Sequence, residues 1–150
     1  MVMGVLSFII ETEKGLTMKA TLKWTSGLQF VAQTDEAPAI VLDSTDGKSG
    51  PTPMQMLLMG VAGCTAMDVV SIMTKKRADL TDFQIVIYGV MAEKHPKRFT
   101  DIEIEYLFFG NGLKESDAQR AIELSEQKYC SAAASVNANI SHSFKLLPPE

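Results

Sequence analysis

The chain has 150 residues, of which 46% are hydrophobic and 21% are charged, and its formal net charge is -4. This length suffices for one domain with a buried core and is too short for two domains of comfortable size. The charges form neither an acidic block nor a basic stripe, so they indicate neither nucleic acid nor an anionic membrane as a partner. The chain has only two cysteines and its start has no basic segment, so we expect a cytoplasmic protein without a disulfide scaffold.

The first half of the chain shows strand patterns that lead into a long helix. We interpret residues 1–17 as an N-terminal extension, either an added strand or a tail, and residues 18–150 as the folded domain. Apolar and polar residues alternate on both sides of the turn signal at 25–27, which predicts a β-hairpin. A third short strand is expected at 40–42, and the composition of residues 43–50 predicts a loop.

The sequence contains start and stop signals for the long helix. Thr52 suits the N-cap and Pro53 the first helical position, while the three cations at 75–77 suit the negative end of the helix dipole. Apolar side chains point in every direction, so we expect a helix buried on most sides. Gly60 and Gly63 each cost about 1 kcal/mol against alanine, which indicates close approach of another backbone. Three polar residues argue against a membrane span: Gln55, Asp68 and Ser71.

The second half of the chain predicts two strands, a helix and a final strand. Residues 83–91 and 101–109 should pair antiparallel, with Ile102, Ile104 and Tyr106 on one face. A capping-box sequence at 116–119 predicts the start of the second helix, with Ala118, Ala121, Ile122 and Leu124 inward. We expect an interruption at 129–131, where Ser131 could cap a short turn, and a last strand from 140 to 146. The order predicts a single α+β domain.

The two cysteines are the candidate chemical groups. An unpaired cysteine in an apolar helix is usually a small core residue, and Cys64 lies too far along the helix for its dipole to favour a thiolate. Asp68, one turn further on, has the charge that opposes thiolate formation, and Lys19, Lys23 and Lys128 are its conceivable partners. Cys130 could meet Cys64 in space as a resolving thiol, but two unrelated core cysteines fit the sequence equally well.

Other kinds of site find little support in the sequence. His95 is expected in an exposed loop, and His142 on the inward face of the last strand is expected to be a hydrogen-bonded core residue. The cysteines and histidines have no metal-ligand spacing, so no zinc site is predicted. The glycines form no phosphate loop, so no nucleotide cofactor is predicted either.

The chain resembles the OsmC/Ohr family of thiol-dependent peroxidases. The resemblance lies in residues 51–64, which end at Cys64, in residues 128–131 around Cys130, and in the order of the elements. It covers about 18–147. It implies an α+β OsmC-like fold of two layers, with a long buried central helix and antiparallel strands. In such a fold two chains intertwine as a homodimer, and the active sites lie at their interface.

The resemblance also implies a function. By this analogy Cys64 is the peroxidatic thiol, which an organic hydroperoxide oxidises to a sulfenic acid, and Cys130 then condenses with it to a disulfide. A dithiol reductant such as a lipoylated protein would reopen the disulfide, and no metal or bound cofactor is implied. The protein would then be an antioxidant oxidoreductase of a stress response.

The sequence departs from the peroxidatic pattern at two places. Peroxidatic members carry a glutamate near the helix start, paired with an arginine from the N-terminal strands that stabilises the thiolate. Here Met54 occupies the glutamate position, and no arginine precedes Arg77. Lys19, Lys23 or Arg98 could supply a cation, although lysine lacks the bidentate geometry of arginine.

Three hypotheses follow from the cysteines and the departures. The first is a thiol peroxidase for organic hydroperoxides. The second is a redox-active thiol protein that acts on another electrophile, such as a reactive sulfur or carbonyl species. The third is a dimeric module that binds an apolar ligand at its interface without turnover.

Overall fold

The structure, a computed structural model, describes residues 17–150. The chain divides into two compact units, one that ends at Thr52 and one that runs from Pro53 to Glu150. The predicted extension at 1–17 therefore lies outside the described residues except for its last residue, and it stays a prediction.

The first unit is a three-stranded antiparallel sheet in the order β1-β2-β3. Its strands are β1 (Ala20–Ser26), β2 (Gln29–Thr34) and β3 (Ile40–Leu42). Gly27 turns the predicted hairpin with a φ of +53°, a conformation that glycine adopts without steric cost. The hairpin and the third strand are both confirmed.

The loop between β3 and the long helix is organised by one buried carboxylate. Asp43 accepts hydrogen bonds from the Ser44 backbone N–H at 2.7 Å, from the Ser49 backbone N–H at 3.2 Å, and from the Ser49 hydroxyl. These bonds lower the pKa of Asp43, and the bond from the Ser49 hydroxyl has the largest effect. A Cβ at Gly47 would lie 2.3 Å from the carboxylate, so the loop closes tightly around it.

The long helix, α1, runs from Pro53 to Lys75 and confirms the predicted start. It ends in a Schellman arrangement. The Ala78 N–H donates to the Met73 carbonyl at 3.1 Å, and the Arg77 N–H donates to the Thr74 carbonyl at 2.9 Å. Arg77 therefore sits at φ +56°, in the left-handed region where glycine is usual.

The burial of α1 within one chain is narrower than the all-round pattern predicts. One stripe is buried, at intervals of four residues: Val61, Thr65, Val69 and Met73. It packs into a core cluster with apolar residues of the following strands and helix. The opposite face stays exposed and includes Met67, at 76% exposure. By length and apolarity α1 could cross a membrane, but core helices pass the same test, and 22% of its most apolar window is buried in this chain.

The second unit contains a sheet in the order β4-β5-β6. Its strands are β4 (Asp79–Met91), β5 (Phe99–Asn111) and β6 (Asn139–Leu147). The predicted antiparallel pairing of β4 with β5 is confirmed. β4 begins four residues before the predicted strand start at residue 83, and a bulge between Leu80 and Asp82 shifts its register. β6 runs parallel to β5, so the sheet is mixed where antiparallel strands were expected.

Two helices and a π-helical segment connect β5 to β6. They are α2 (Glu115–Leu124), the π-helical segment (Ser125–Tyr129) and α3 (Ser131–Ala134). The expected break is confirmed, but two predicted caps are wrong. α2 begins one residue before Ser116, and its N-cap, Lys114, makes no side-chain cap. α3 is capped by Cys130, whose sulfur accepts the Ala133 N–H, and not by Ser131. The α+β class is confirmed.

Candidate active site

The two cysteines meet between α1 and the break after α2. Cys64 is half-buried on α1, and Cys130 is buried at the N-cap of α3; both are free thiols. Their sulfur atoms and a carboxylate oxygen of Asp68 all lie within 4.8 Å of one another. The approach that the sequence left open is thus present, with the two sulfur atoms no more than 4.8 Å apart. The two cysteines are therefore neighbours in the fold, and their pairing as attacking and resolving thiols stays a prediction.

Cys130 is a thiol held in its protonated form. Its sulfur accepts the Ala133 backbone N–H at 3.4 Å, which by itself would favour the thiolate. Burial outweighs this bond, and together with the adjacent Cys64 and the charge of Asp68 it raises the pKa of Cys130 to about 11. At neutral pH Cys130 is therefore protonated, and its thiol lies next to Cys64 and shielded from solvent.

Asp68 ends a chain of buried hydroxyl groups. The Ser125 hydroxyl donates to Asp68 Oδ2 at 2.9 Å, and the Thr65 and Ser125 hydroxyl oxygens lie 3.0 Å apart. The Thr65 hydroxyl oxygen in turn lies 2.8 Å from the Tyr106 hydroxyl oxygen. Thr65, Ser125 and Tyr106 are each no more than 2% exposed, so these bonds satisfy groups that water does not reach.

The direction of these bonds follows from donor counting. A hydroxyl group has one proton to donate, and that of Ser125 is committed to the Asp68 carboxylate. Thr65 must therefore donate to Ser125, and Tyr106 must donate to Thr65. All three hydroxyl groups therefore donate in the direction of the Asp68 carboxylate, which lies beside the thiols.

Tyr106, the first residue of this series of hydroxyl groups, packs against His142. Burial raises the pKa of Tyr106 to about 12. The His142 ring packs edge-on against Tyr106, with ring centres 6.4 Å apart, and His142 Nδ1 lies 2.8 Å from Glu126 Oε1. Burial raises the pKa of Glu126, an effect that His142 opposes. His142 thus has the polar partner that was expected, but it is half-buried and is not a core residue.

Other residues that the sequence singled out lie in different surroundings. Arg98 donates to the backbone carbonyls of Phe99 at 3.2 Å and Asn137 at 3.0 Å, so within this chain it ties the β4–β5 loop to the segment before β6. Met54 packs against the core. Lys128, a conceivable partner of Asp68, has its ammonium 5.3 Å from the centre of the Tyr129 ring.

The hydroxyl groups at the site were not predicted from the sequence. Thr65 is the one polar member of the buried stripe of α1, so a search for polar residues at four-residue spacing could have found it. No sequence pattern indicated Ser125, because it becomes buried where α2 passes into the π-helical segment, and that local change cannot be predicted from the sequence.

Comparison with known proteins places this site in a family. Residues 45–145 match the family described as OsmC-like protein. The chain belongs to the OsmC-like family. The matched range contains both cysteines, Asp68 and every hydroxyl group of the site, so the site lies within the part of the chain that the family shares.

Similar proteins agree with membership of the OsmC-like family. The chain is 37% identical over 132 residues to protein YhfA of Escherichia coli K12, a match that covers 87% of this chain and 98% of YhfA. A crystal structure of a hypothetical protein from Aquifex aeolicus is 32% identical, with a TM-score of 0.76 over 88% of this chain and 98% of that one. The organic hydroperoxide resistance protein OhrB of Bacillus subtilis shares the fold, with 16% identity and a TM-score of 0.60 over 87% and 98% of the two chains.

Proposed function

We propose that the protein is a thiol-dependent peroxidase that reduces organic hydroperoxides through Cys64 and Cys130. The observation that carries this proposal is the placement of the two sulfur atoms within 4.8 Å of each other. Membership of the OsmC-like family supports it, since a protein with this fold is named for organic hydroperoxide resistance. A binding module without turnover would not need two free thiols at this separation.

The proposed reaction has two steps. In the first, the Cys64 thiolate attacks the outer oxygen of the hydroperoxide, the O–O bond breaks, and Cys64 becomes a sulfenic acid while the alkoxide leaves and takes a proton from water to become the alcohol. In the second, Cys130 attacks the sulfenic sulfur, a disulfide forms, and the hydroxyl group leaves as water with the proton of the Cys130 thiol. An external dithiol such as a lipoylated protein then reduces the disulfide by exchange.

The surroundings of the two thiols support this order of roles. Cys64 is half-buried, which leaves it open to a small substrate, whereas Cys130 is 4% exposed. The raised pKa of Cys130 keeps it protonated near neutral pH, so it is the poorer nucleophile toward a hydroperoxide. It attacks well only after Cys64 has become an electrophile next to it.

We also propose that the protein acts as a homodimer in which α1 packs against a partner chain. The exposed face of α1, opposite its buried stripe, carries apolar side chains and two glycines: Met59, Gly60, Gly63, Met67 and Val70. A Cβ at either glycine would meet no atom of the described residues within 4 Å. The close approach that these glycines predict is absent among residues 17–150, which favours a second chain as the neighbour.

Steady-state turnover with defined substrates tests the function. Reduced protein is given cumene hydroperoxide or hydrogen peroxide, with dihydrolipoamide as reductant, and peroxide loss is followed for wild type, Cys64→Ser and Cys130→Ser. We expect turnover that prefers the organic peroxide and is lost in both variants when the dithiol is limiting. Turnover that persists in Cys64→Ser would overturn the proposal. Reaction with a sulfur or carbonyl electrophile but with neither peroxide would favour the second hypothesis.

A further inference from the structure

We propose that the reduced thiol pair and Asp68 together form a binding site for one Zn²⁺ ion per chain. Cys64, Cys130 and Asp68 each offer one ligand atom, and the three atoms lie within 4.8 Å of one another. This inference does not rest on the proposed peroxidase function. The sequence predicted no zinc site because the two cysteines are 66 positions apart, and only the fold brings them to the same place.

The donor set and its dimensions suit zinc. Zn²⁺ binds thiolate sulfur at about 2.3 Å and carboxylate oxygen at about 2.0–2.2 Å, so a tetrahedral site holds its sulfurs about 3.8 Å apart. From at most 4.8 Å, the two sulfurs therefore need to close by about 1 Å at most, and each sulfur–oxygen pair by about 1.2 Å at most. Side-chain rotations can supply that movement, because Cys64 and Asp68 lie one turn apart on the same helix. Two soft thiolates favour zinc over magnesium or calcium.

The chain of hydroxyl groups gives the carboxylate the support that metal ligands usually have. Ser125 donates to Asp68 Oδ2, and its own position is held by Thr65 and Tyr106. Such outer partners fix the orientation of a ligating carboxylate and are common behind zinc ligands. The carboxylate and the two thiols thus form a set of three donor atoms that a divalent cation can bind together.

The site keeps one coordination position for an exchangeable ligand. Asp68 borders an open cavity of about 310 Å³, whose wall includes Lys75 and Tyr129, so water can reach the carboxylate side of the three ligands. Two thiolates, one carboxylate and Zn²⁺ sum to one negative charge, and Lys75 is the cationic residue on the wall of this cavity. Three protein ligands and one open position describe a site that binds zinc reversibly, unlike a closed four-ligand structural site.

Metal titration of the intact, reduced protein tests this proposal without any peroxide. Zn²⁺ affinity is measured by competition with a chromogenic chelator. Co²⁺ serves as a spectroscopic probe, because thiolate ligation gives a charge-transfer band and tetrahedral geometry gives strong visible bands. The variants are Cys64→Ser, Cys130→Ser and Asp68→Asn. Asp82→Asn is the matched control, since Asp82 is an exposed carboxylate on β4 bonded to Gln84.

We expect one Zn²⁺ per chain, a thiolate-to-cobalt band, and loss of that band in each cysteine variant. Asp68→Asn should weaken zinc binding by at least about 10-fold, because the loss of even an outer partner of a metal ligand costs about 10–100-fold. Asp82→Asn should bind as wild type does. Wild-type affinity in Asp68→Asn, or half a zinc per chain, would overturn the three-ligand site. Circular dichroism of each variant excludes loss of fold as the cause of weak binding.

Discussion

The ionisation of Cys130 gives a sharp prediction, because its pKa of about 11 has a clear physical cause in burial. At pH 8 such a thiol is about 10⁻³ ionised, whereas an ordinary cysteine with a pKa of about 8.5 is about one quarter ionised. The thiolate of a more basic thiol is intrinsically more nucleophilic, so the Cys130 thiolate itself should react about 10-fold faster than an ordinary cysteine thiolate. Cys130 should therefore be alkylated about 20-fold more slowly than a free cysteine at pH 8, and burial of the sulfur slows it further.

The assay is alkylation of reduced protein with iodoacetamide from pH 7 to pH 11, followed by peptide mass spectrometry that reports Cys130 separately. The rate for Cys130 should rise about 10-fold per pH unit through pH 10, with no plateau near pH 9. Protein unfolded in urea, in which Cys130 reacts as a free thiol, is the control. A plateau near pH 9 in folded protein would refute the assignment of Cys130 as the shielded partner.

A second arm of this experiment tests the contribution of Asp68. Its negative charge is one of the causes that raise the pKa of Cys130, after burial and the adjacent Cys64. Asp68→Asn should therefore move the alkylation profile of Cys130 to lower pH, and Asp82→Asn should leave it unchanged. If the two variants gave the same profile, Asp68 would have no electrostatic effect on the thiol pair.

The remaining predictions concern the stability and assembly of the fold. The pKa of Tyr106 is raised to about 12 in the folded chain against 10.0 for an unperturbed tyrosine, so the stability this group contributes is present below pH 10 and is lost as pH rises toward 12. Urea unfolding should show wild type losing about 1.4 kcal/mol more than Tyr106→Phe between pH 9 and pH 11, and equal losses would contradict the shift. Arg77→Gly should raise the free energy of unfolding by about 1 kcal/mol, because glycine adopts the left-handed conformation of this residue without steric cost. The control Lys75→Gly, within α1, should lower it. A lower melting temperature for Arg77→Gly would contradict this prediction. Gly60→Ala should weaken the proposed dimer in analytical ultracentrifugation. A stabler protein with unchanged mass would show instead that no backbone lies against Gly60.

The parts of the structure that the sequence predicted are those with local causes. Thr52 and Pro53 mark the start of α1 because capping and proline geometry act within one turn. The alternation in β5 and β6 identifies their inward faces, including His142. The break after α2 was predicted at the right residues, although Cys130 rather than Ser131 supplies the cap.

The parts that the sequence did not predict depend on distant neighbours. The parallel pairing of β6 with β5 is set by the path of the helical connection between them and not by the pattern of either strand. The link from Ser125 to Asp68 joins residues 57 positions apart, and its geometry depends on the π-helical segment. The exposure of one face of α1 could not be predicted from a pattern that is apolar all round, because such a pattern does not distinguish the residues that are buried within this chain from those that are not.

The most direct measurement of the central claim is the intact mass of reduced protein after about one equivalent of cumene hydroperoxide, taken at short times. The proposed roles predict that wild type loses about 2 Da as the disulfide forms, and that Cys130→Ser gains about 16 Da as a trapped sulfenic acid. Cys64→Ser should show neither change at the same times. A wild-type reaction no faster than that of a free thiol, or sulfenic acid formed first on Cys130, would contradict the account.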